Sequence, residues 1–307
     1  MEQKQLLVTS SPHEHHPLTT QRMMLEVLLA LMPAAVLAVF FFKLQALWVM
    51  LVGVVSAVVT EAVIQRLTGK PVTVNDFSAA VTGLLLAFTL PPGMPLWMVA
   101  VGSVVAIAIA KQVFGGLGDN PFNPALIGRG VLLASFPTQM TNFLAPFTLL
   151  TTATPLAGAQ ASYDALFLGI VPGSLGETSA LALLLGGAYL IWRGIIDWRI
   201  PAGFIGSVAA FTWIFGGASL FSGNPLFHVL AGGVLLGAFF MATDLVTSPV
   251  TRPGRWVMGI GCGLITSIIR IWGGYPEGVT YAILVMNGLT PLIDRYIRPR
   301  RFGSVTK

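Results

Sequence analysis

Four polar clusters interrupt this otherwise apolar chain, and each suggests a different chemistry. In "LLTTATPLAG" (Leu149–Gly158), Thr151, Thr152 and Thr154 crowd into a loop. Threonine is a common loop residue, and a threonine hydroxyl is also an acceptor for covalent attachment; the cluster alone leaves both readings open. In "GGLGDNPFNPALIGRG" (Gly115–Gly130), Asp119, Asn120, Asn123 and Arg129 lie between two apolar runs. Buried amides and carboxylates need partners. This stretch is therefore either a helix-start cap with an internal ion pair or a ring of donors and acceptors for a flat heterocycle. Asp244, in "FMATDLVTSP", follows another apolar run. A carboxylate there is a cation ligand, a proton carrier, a helix cap or a partner of Arg252. Glu61 and Glu277, near the ends of apolar runs, are lesser candidates of the same kind. The fourth cluster, "HEHH" (His13, Glu14, His15, His16), has no metal-site spacing and reads as part of a solvated arm or a partner contact.

Other chemistries are excluded. The single cysteine, Cys262, rules out an internal disulfide, a zinc finger or an iron–sulfur cluster held by this chain alone, and it reads as a small buried helix residue. There is no nucleotide loop and no Ser-His-Asp set. No catalytic side chain and no metal site is assigned, so any redox chemistry must belong to a bound cofactor.

The elements that hold these clusters are membrane helices. Hydrophobic residues make up 55% of the 307 and charged residues 9%, with a mean hydropathy of +0.80. A soluble domain carries about 25% charged residues, so this composition belongs to a bilayer. Apolar runs bounded by Pro, Gly or charge fall near 25–42, 44–64, 77–90, 96–114 and 124–136. After a long gap they resume at 180–192, 201–215, 226–243, 256–271 and 279–293. The expected fold is an all-α integral membrane protein of about ten transmembrane helices. Its domains are a cytoplasmic arm (1–24), a first membrane repeat (25–136), an outer-face loop (137–179), a second repeat (180–294) and a basic cytoplasmic tail (295–307). The arm has no signal-peptide apolar core.

Basic residues orient the spans. With a cytoplasmic N-terminus, Arg22, Arg66, Lys70, Arg193, Arg199, Arg252, Arg255 and the arginines of the tail all fall on the cytoplasmic side. No Lys or Arg lies between Arg129 and Arg193, so the loop carrying Thr154 faces outside. The pI of 9.7 thus needs no nucleic-acid partner. Two pairs of segments recur: "GLLLAF" (Gly83–Phe88) with "GVLLGAF" (Gly233–Phe239), and "IAKQVFGGLGDN" (Ile109–Asn120) with "SIIRIWGGYPEG" (Ser267–Gly278). Two five-span halves, an odd number each, must be inverted relative to one another, a plan that places ligand or ion sites at the repeat interface. Some spans are short: Ser78 to Thr89 covers roughly 18 Å of an about 30 Å hydrocarbon core. Short or discontinuous helices are tolerated where their ends line a protein cavity.

Together, "NDFSAAVTGLLLAFTLPPGMP" (Asn75–Pro95), "GDNPFNPALIGRG" (Gly118–Gly130), "TTATPLA" (Thr151–Ala157) and "GAFFMATDLVTSP" (Gly237–Pro249) make the chain resemble the D-type members (RnfD) of Rnf-type ion-translocating electron-transport complexes. More distantly it is similar to the B-type member (NqrB) of sodium-translocating NADH:quinone reductase. The resemblance covers nearly the whole chain. It implies FMN attached through its phosphate to a threonine, here Thr154, with Thr151 and Ala153 at the recognition positions. Thr148 stands where the family often has an aspartate, six residues before the acceptor. It also implies a second, non-covalent flavin, riboflavin, held by Asn120 and Asn123. Further implications are partners of the A, B, C, E and G types in one membrane complex, a separate flavin transferase acting outside the membrane, and electron transfer between ferredoxin and NAD coupled to Na⁺ or H⁺ movement. Asp244 and Asp119 are the candidates for ion translocation. The competing expectation is a urea-channel-like transporter without a redox cofactor, in which Thr154 is an ordinary loop residue and the Asn120–Asn123 turn lines a substrate path.

Overall fold

The computed structural model describes residues 19–217, 219–274 and 277–298. The HEHH cluster, with the rest of residues 1–18, and the tail beyond Arg298 lie outside the described residues. Helix α1 (Thr20–Leu67) opens on Thr19, whose Oγ1 accepts from the Arg22 amide at 3.2 Å. Its 48 residues are enough for two crossings of a bilayer, and Lys43 divides it by leaving helical geometry (φ 56°, ψ −140°). The expected runs 25–42 and 44–64 are its two arms.

The second arm is built the opposite way from a water-soluble helix. Gly53, Ala57, Glu61 and Gln65 face inward, while Leu51, Val55, Val59 and Val63 face outward. Small residues in the interface and large apolar residues outside are what a lipid-facing helix requires. Helix α2 (Ser78–Phe88) crosses this arm where Gly83 meets Gly53. A Cβ on Gly83 would lie 2.5 Å from the Gly53 carbonyl oxygen and 2.8 Å from Val54 Cα, so glycine is required for the close approach.

Helix α2 is as short as expected. Asp76 starts it, Oδ1 accepting from the Ser78 amide at 2.8 Å and the Ser78 hydroxyl at 2.6 Å. At its far end the Phe88 carbonyl accepts from the Gly176 amide (2.9 Å) and the Leu90 carbonyl from the Leu175 amide (3.0 Å). These partners come from residues 171–180 of the long loop, most of which are buried. The loop is therefore not all surface. Its last part plugs the end of a short helix, so that irregular backbone at depth is covered by protein.

Helix α3 (Leu96–Val104) runs straight into a π-helical stretch, Val105–Gln112, and α4 (Pro124–Ser135) follows. After α5 (Pro137–Met140) the loop contains two short strands, β1 (Phe143–Leu144) and β2 (Thr151–Thr152), paired antiparallel with Phe143 opposite Thr152. Apart from this pair the all-α expectation holds. Helix α6 (Tyr163–Leu168) completes the loop, and α7 (Ala180–Trp192) and α8 (Arg199–Phe215) begin the second half.

The run 226–243, expected as one helix, is two pieces. Helix α9 (Pro225–Leu230) stops, Gly232 takes φ 70°, and α10 (Val234–Leu236) restarts and passes into a second π-helical stretch, Gly237–Met241. Arg270 of α11 (Arg252–Trp272) makes the break possible by donating to the carbonyls of His228 and Ala231, the latter at 3.0 Å. Helix α12 (Val279–Tyr296) closes the fold. One apolar core, including Phe42, Phe88, Leu183, Phe204 and Val234, draws on both halves.

Candidate functional sites

Asn120, Asn123 and Asp244, far apart in the chain, line one cavity. It encloses about 80 Å³. Ser78, Thr82 and Leu85 of α2 form one wall, Phe239 and Phe240 another, and Lys111 contributes from the first π-helical stretch.

The two asparagines have different duties. Asn123 caps α4: its Oδ1 accepts from the Ala125 amide (3.1 Å) and the Leu126 amide (3.3 Å), and its Nδ2 donates to the Met241 carbonyl (3.3 Å). It ties the "NPFNP" turn to the second π-helical stretch. Asn120 donates to the Phe122 carbonyl at 3.2 Å, and its Oδ1 is buried without a hydrogen-bond partner among the described residues. A buried acceptor left open costs about 1–3 kcal/mol. It belongs to a residue of the cavity wall, and an open acceptor there is suited to take a ring N–H from a heterocycle. The polar groups and apolar side chains of this wall are of the types that hold a flat heterocycle.

Asp244 sits in a turn, accepting from the Val246 amide (3.4 Å) and the Thr247 hydroxyl (3.3 Å) rather than pairing with Arg252. Asp119 does not join it: the side chain is exposed, folded against Gly115 and outside the cavity lining. Lys111 does belong here, and Glu61 stands behind it. Lys111 Nζ lies 2.7 Å from Glu61 Oε1, both side chains being almost completely buried. The signal for Lys111 was available, since a lysine within "VAIAIAKQVF" is an intramembrane charge and such charges are seldom idle.

The second site is in the loop. Thr151, Thr152 and Ala153 are exposed, but Thr154 is only 8% exposed. The residue as a whole is far less open than its three neighbours, although its hydroxyl is not among the fully buried polar atoms without a partner. The Thr154 carbonyl holds the following turn by accepting from Ala157 and Ala159, and the residue faces a tight pocket with Leu156, Thr178, Gly232, Glu177 and Glu277. Behind the pocket is a four-charge network. Arg129 Nη2 donates to Glu277, Arg129 Nη1 lies 3.9 Å from Glu177, and Arg270 Nε donates to the Glu277 carbonyl at 3.2 Å. Arg129 thus makes the internal ion pair that was one of its two sequence readings. Two carboxylates on this wall oppose an anionic phosphoester inside the pocket.

A third polar group lies between α7 and α8. Asp197 accepts from Arg199 Nη1 (2.9 Å) and Arg255 Nη1 (2.6 Å). Burial pushes its carboxyl up, but the Arg199 amide and the two guanidiniums outweigh this and hold it below the usual carboxylate range.

The sequence pattern of the NQR2, RnfD, RnfE family matches residues 7–303. The chain is 52% identical, over its whole length and 98% of the relative's, to the D component of the Na(+)-translocating ferredoxin:NAD(+) oxidoreductase complex of Acetobacterium woodii. It is 48% identical to the D component of the proton-translocating ferredoxin:NAD(+) oxidoreductase complex of Clostridium ljungdahlii, covering 97% of this chain and 96% of that one. The D component of the ion-translocating oxidoreductase complex of Citrobacter koseri is 38% identical over 96% of this chain and 98% of its own length. Near-complete coverage and identities of this size place the chain in the NQR2, RnfD, RnfE family, alongside its D-type members.

Proposed function

We propose that this chain is the D-type membrane component of an ion-translocating ferredoxin:NAD oxidoreductase, carrying FMN on Thr154 and a second flavin in the cavity lined by Asn120. One observation carries the reading: the family's asparagine turn puts Asn120, whose buried side-chain oxygen has no partner among the described residues, on the wall of a cavity that Asp244 and Lys111 also line. A bound flavin supplies one- and two-electron chemistry. The chain supplies the rest. Asn120 Oδ1 holds the polar edge of the ring, Phe239 and Phe240 offer apolar faces, and Asn123 keeps the turn in register with Met241. Asp244 is the carboxylate that takes up the coupled ion. Relatives of similar identity are named for Na⁺ and for protons, so overall likeness does not select the ion.

In this reading both termini are cytoplasmic and the loop 137–179 faces outward, where a transferase works once Thr154 has left its pocket. Partners of the A, B, C, E and G types complete the assembly in the cell membrane. The two halves are inverted repeats. In support, Lys111 and Arg270 each lie in the last turn before a glycine pair, and each grips the interrupted or short helix of its own half, Lys111 through Ser78 and Arg270 through Ala231.

The test is flavin fluorescence of the full chain after denaturing electrophoresis, expressed with a flavin transferase, wild type beside Thr154→Ala. The expected result is a fluorescent wild-type band, a dark mutant band, and flavin released from both on denaturation. A dark wild-type band with no released flavin returns the chain to the channel class. For the ion, Asp244→Asn is expected to abolish ion pumping by the assembled complex, and normal pumping would remove Asp244 from the pathway.

A further inference from the structure

The two π-helical stretches among the described residues, Val105–Gln112 and Gly237–Met241, lie far apart in sequence and line the same cavity. Such distortions sacrifice regular helical bonding and concentrate at functional sites. The second brings Phe239 and Phe240 to the wall and the first brings Lys111.

Lys111 is held from behind. Its Nζ donates to Ser78 Oγ at 2.6 Å and to Glu61 Oε1 at 2.7 Å, and Gln112 Nε2 donates to the same carboxylate oxygen at 2.8 Å. An ammonium has three N–H groups, so one remains for the cavity. Glu61 Oε2 is buried without a partner, and Glu61 does not line the cavity. Taking a charge pair into an apolar interior is expensive and adds little to stability over a well-packed apolar pair. This pair also leaves hydrogen-bonding capacity unused at both ends. Of the pair only Lys111 lines the cavity, with Asp244 the other charged residue of the wall.

We infer that Lys111 is a positioning residue that sets the charge of the cavity, holding a fixed positive group against the bound ring so that the electron-rich state is favoured. This rests on the reading above that the cavity holds a flavin. An electron added to a neutral ring leaves it negatively charged until a proton arrives. Lys111 stabilises that charge without giving up its own proton, and no bond forms or breaks. Glu61 opposes the effect, since it partly neutralises the ammonium.

The test is potentiometric titration of the full chain in a Thr154→Ala background, where the cavity holds the remaining flavin, with dithionite as reductant and ring absorbance as readout. Lys111→Gln is expected to weaken the preference for reduced over oxidised flavin at least tenfold, a fall of about 59 mV for a one-electron step. Glu61→Gln is expected to shift the midpoint the opposite way, and Lys111→Arg to stay near the parent. Opposite signs are the signature, because a merely structural pair would not produce them. Equal midpoints in all variants, or shifts of one sign, overturn the inference for Lys111. Absence of released flavin in the Thr154→Ala parent overturns the cavity reading itself. If Lys111→Gln does not assemble, the sign of the Glu61→Gln shift decides.

Discussion

The cavity around Asn120 and the pocket around Thr154 differ in how they treat their polar groups. The cavity is preformed on helices and leaves Asn120 Oδ1 without a partner among the described residues. The loop pocket has Thr154, Glu177 and Glu277 in its wall, with Arg129 paired to both carboxylates. An open acceptor on a rigid frame suits a ligand that comes and goes. A largely buried threonine beside an ion network suits a residue that must shift before it can react. The first region stores binding capacity and the second stores stability.

Substitutions can break or sharpen that contrast. The largest effect is expected from Arg129→Met, which strands Glu177 in the interior and leaves the half-buried Glu277 without its guanidinium. Loss of one partner of a buried pair costs about 3–5 kcal/mol, so the thermal midpoint in detergent should fall steeply. A midpoint near wild type would show that the network does not support the loop. Next is Gly83→Ala, which forces a Cβ against the Gly53 carbonyl. Overpacking of this kind costs about 1–3 kcal/mol, and because Thr82 lines the cavity, flavin retention should drop along with stability. The asparagines then separate the two roles. Asn123→Ala removes a cap and should cost about 1 kcal/mol. Asn120→Ala removes one hydrogen bond, to the Phe122 carbonyl, together with the unpartnered Oδ1, and should change the unfolding midpoint less than Asn123→Ala while emptying the cavity of flavin. If the two alanine variants behave alike, the division of labour drawn from their bonding is wrong.

The smallest effect belongs to Asp197. Its carboxyl titrates lower folded than unfolded, so its contribution is complete above the ordinary aspartate value of 3.8 and disappears as pH falls through the folded one. The ion pairs are partly exposed, so about 0.2–1 kcal/mol is at stake. Asp197→Asn should lower stability at neutral pH by this amount and flatten the acid limb of a stability–pH curve.

Much of this was legible in the chain. Prolines, glycines and charges bound the apolar runs, and the helices fall where those marks stand. The run 226–243 misled because Ala231, Gly232 and Gly233 are small and apolar enough to continue a helix, and the break depends on Arg270 reaching over from α11. The burial of residues 171–180 is likewise tertiary: nothing local tells Leu175 and Gly176 that the end of α2 needs two donors. Asp119 and Asn120 are adjacent, yet one is exposed and the other buried, a difference made by the turn rather than by composition. Thr154 was singled out by motif, but its burial among Glu177 and Glu277 is tertiary, since both are distant in sequence.

Counted along the chain instead of in space, a π-helical stretch is an insertion, one residue more than an α-helix needs for the same path. Each α-helical residue turns the side chain by about 100°. A chain one residue shorter between Val105 and Gln112 would revert to a plain α-helix and swing the position of Lys111 off the cavity by about that angle. The cation at this cavity is therefore inherited as a matter of length as well as of residue type. A single-codon deletion upstream of Lys111 would remove it while leaving the lysine in the sequence.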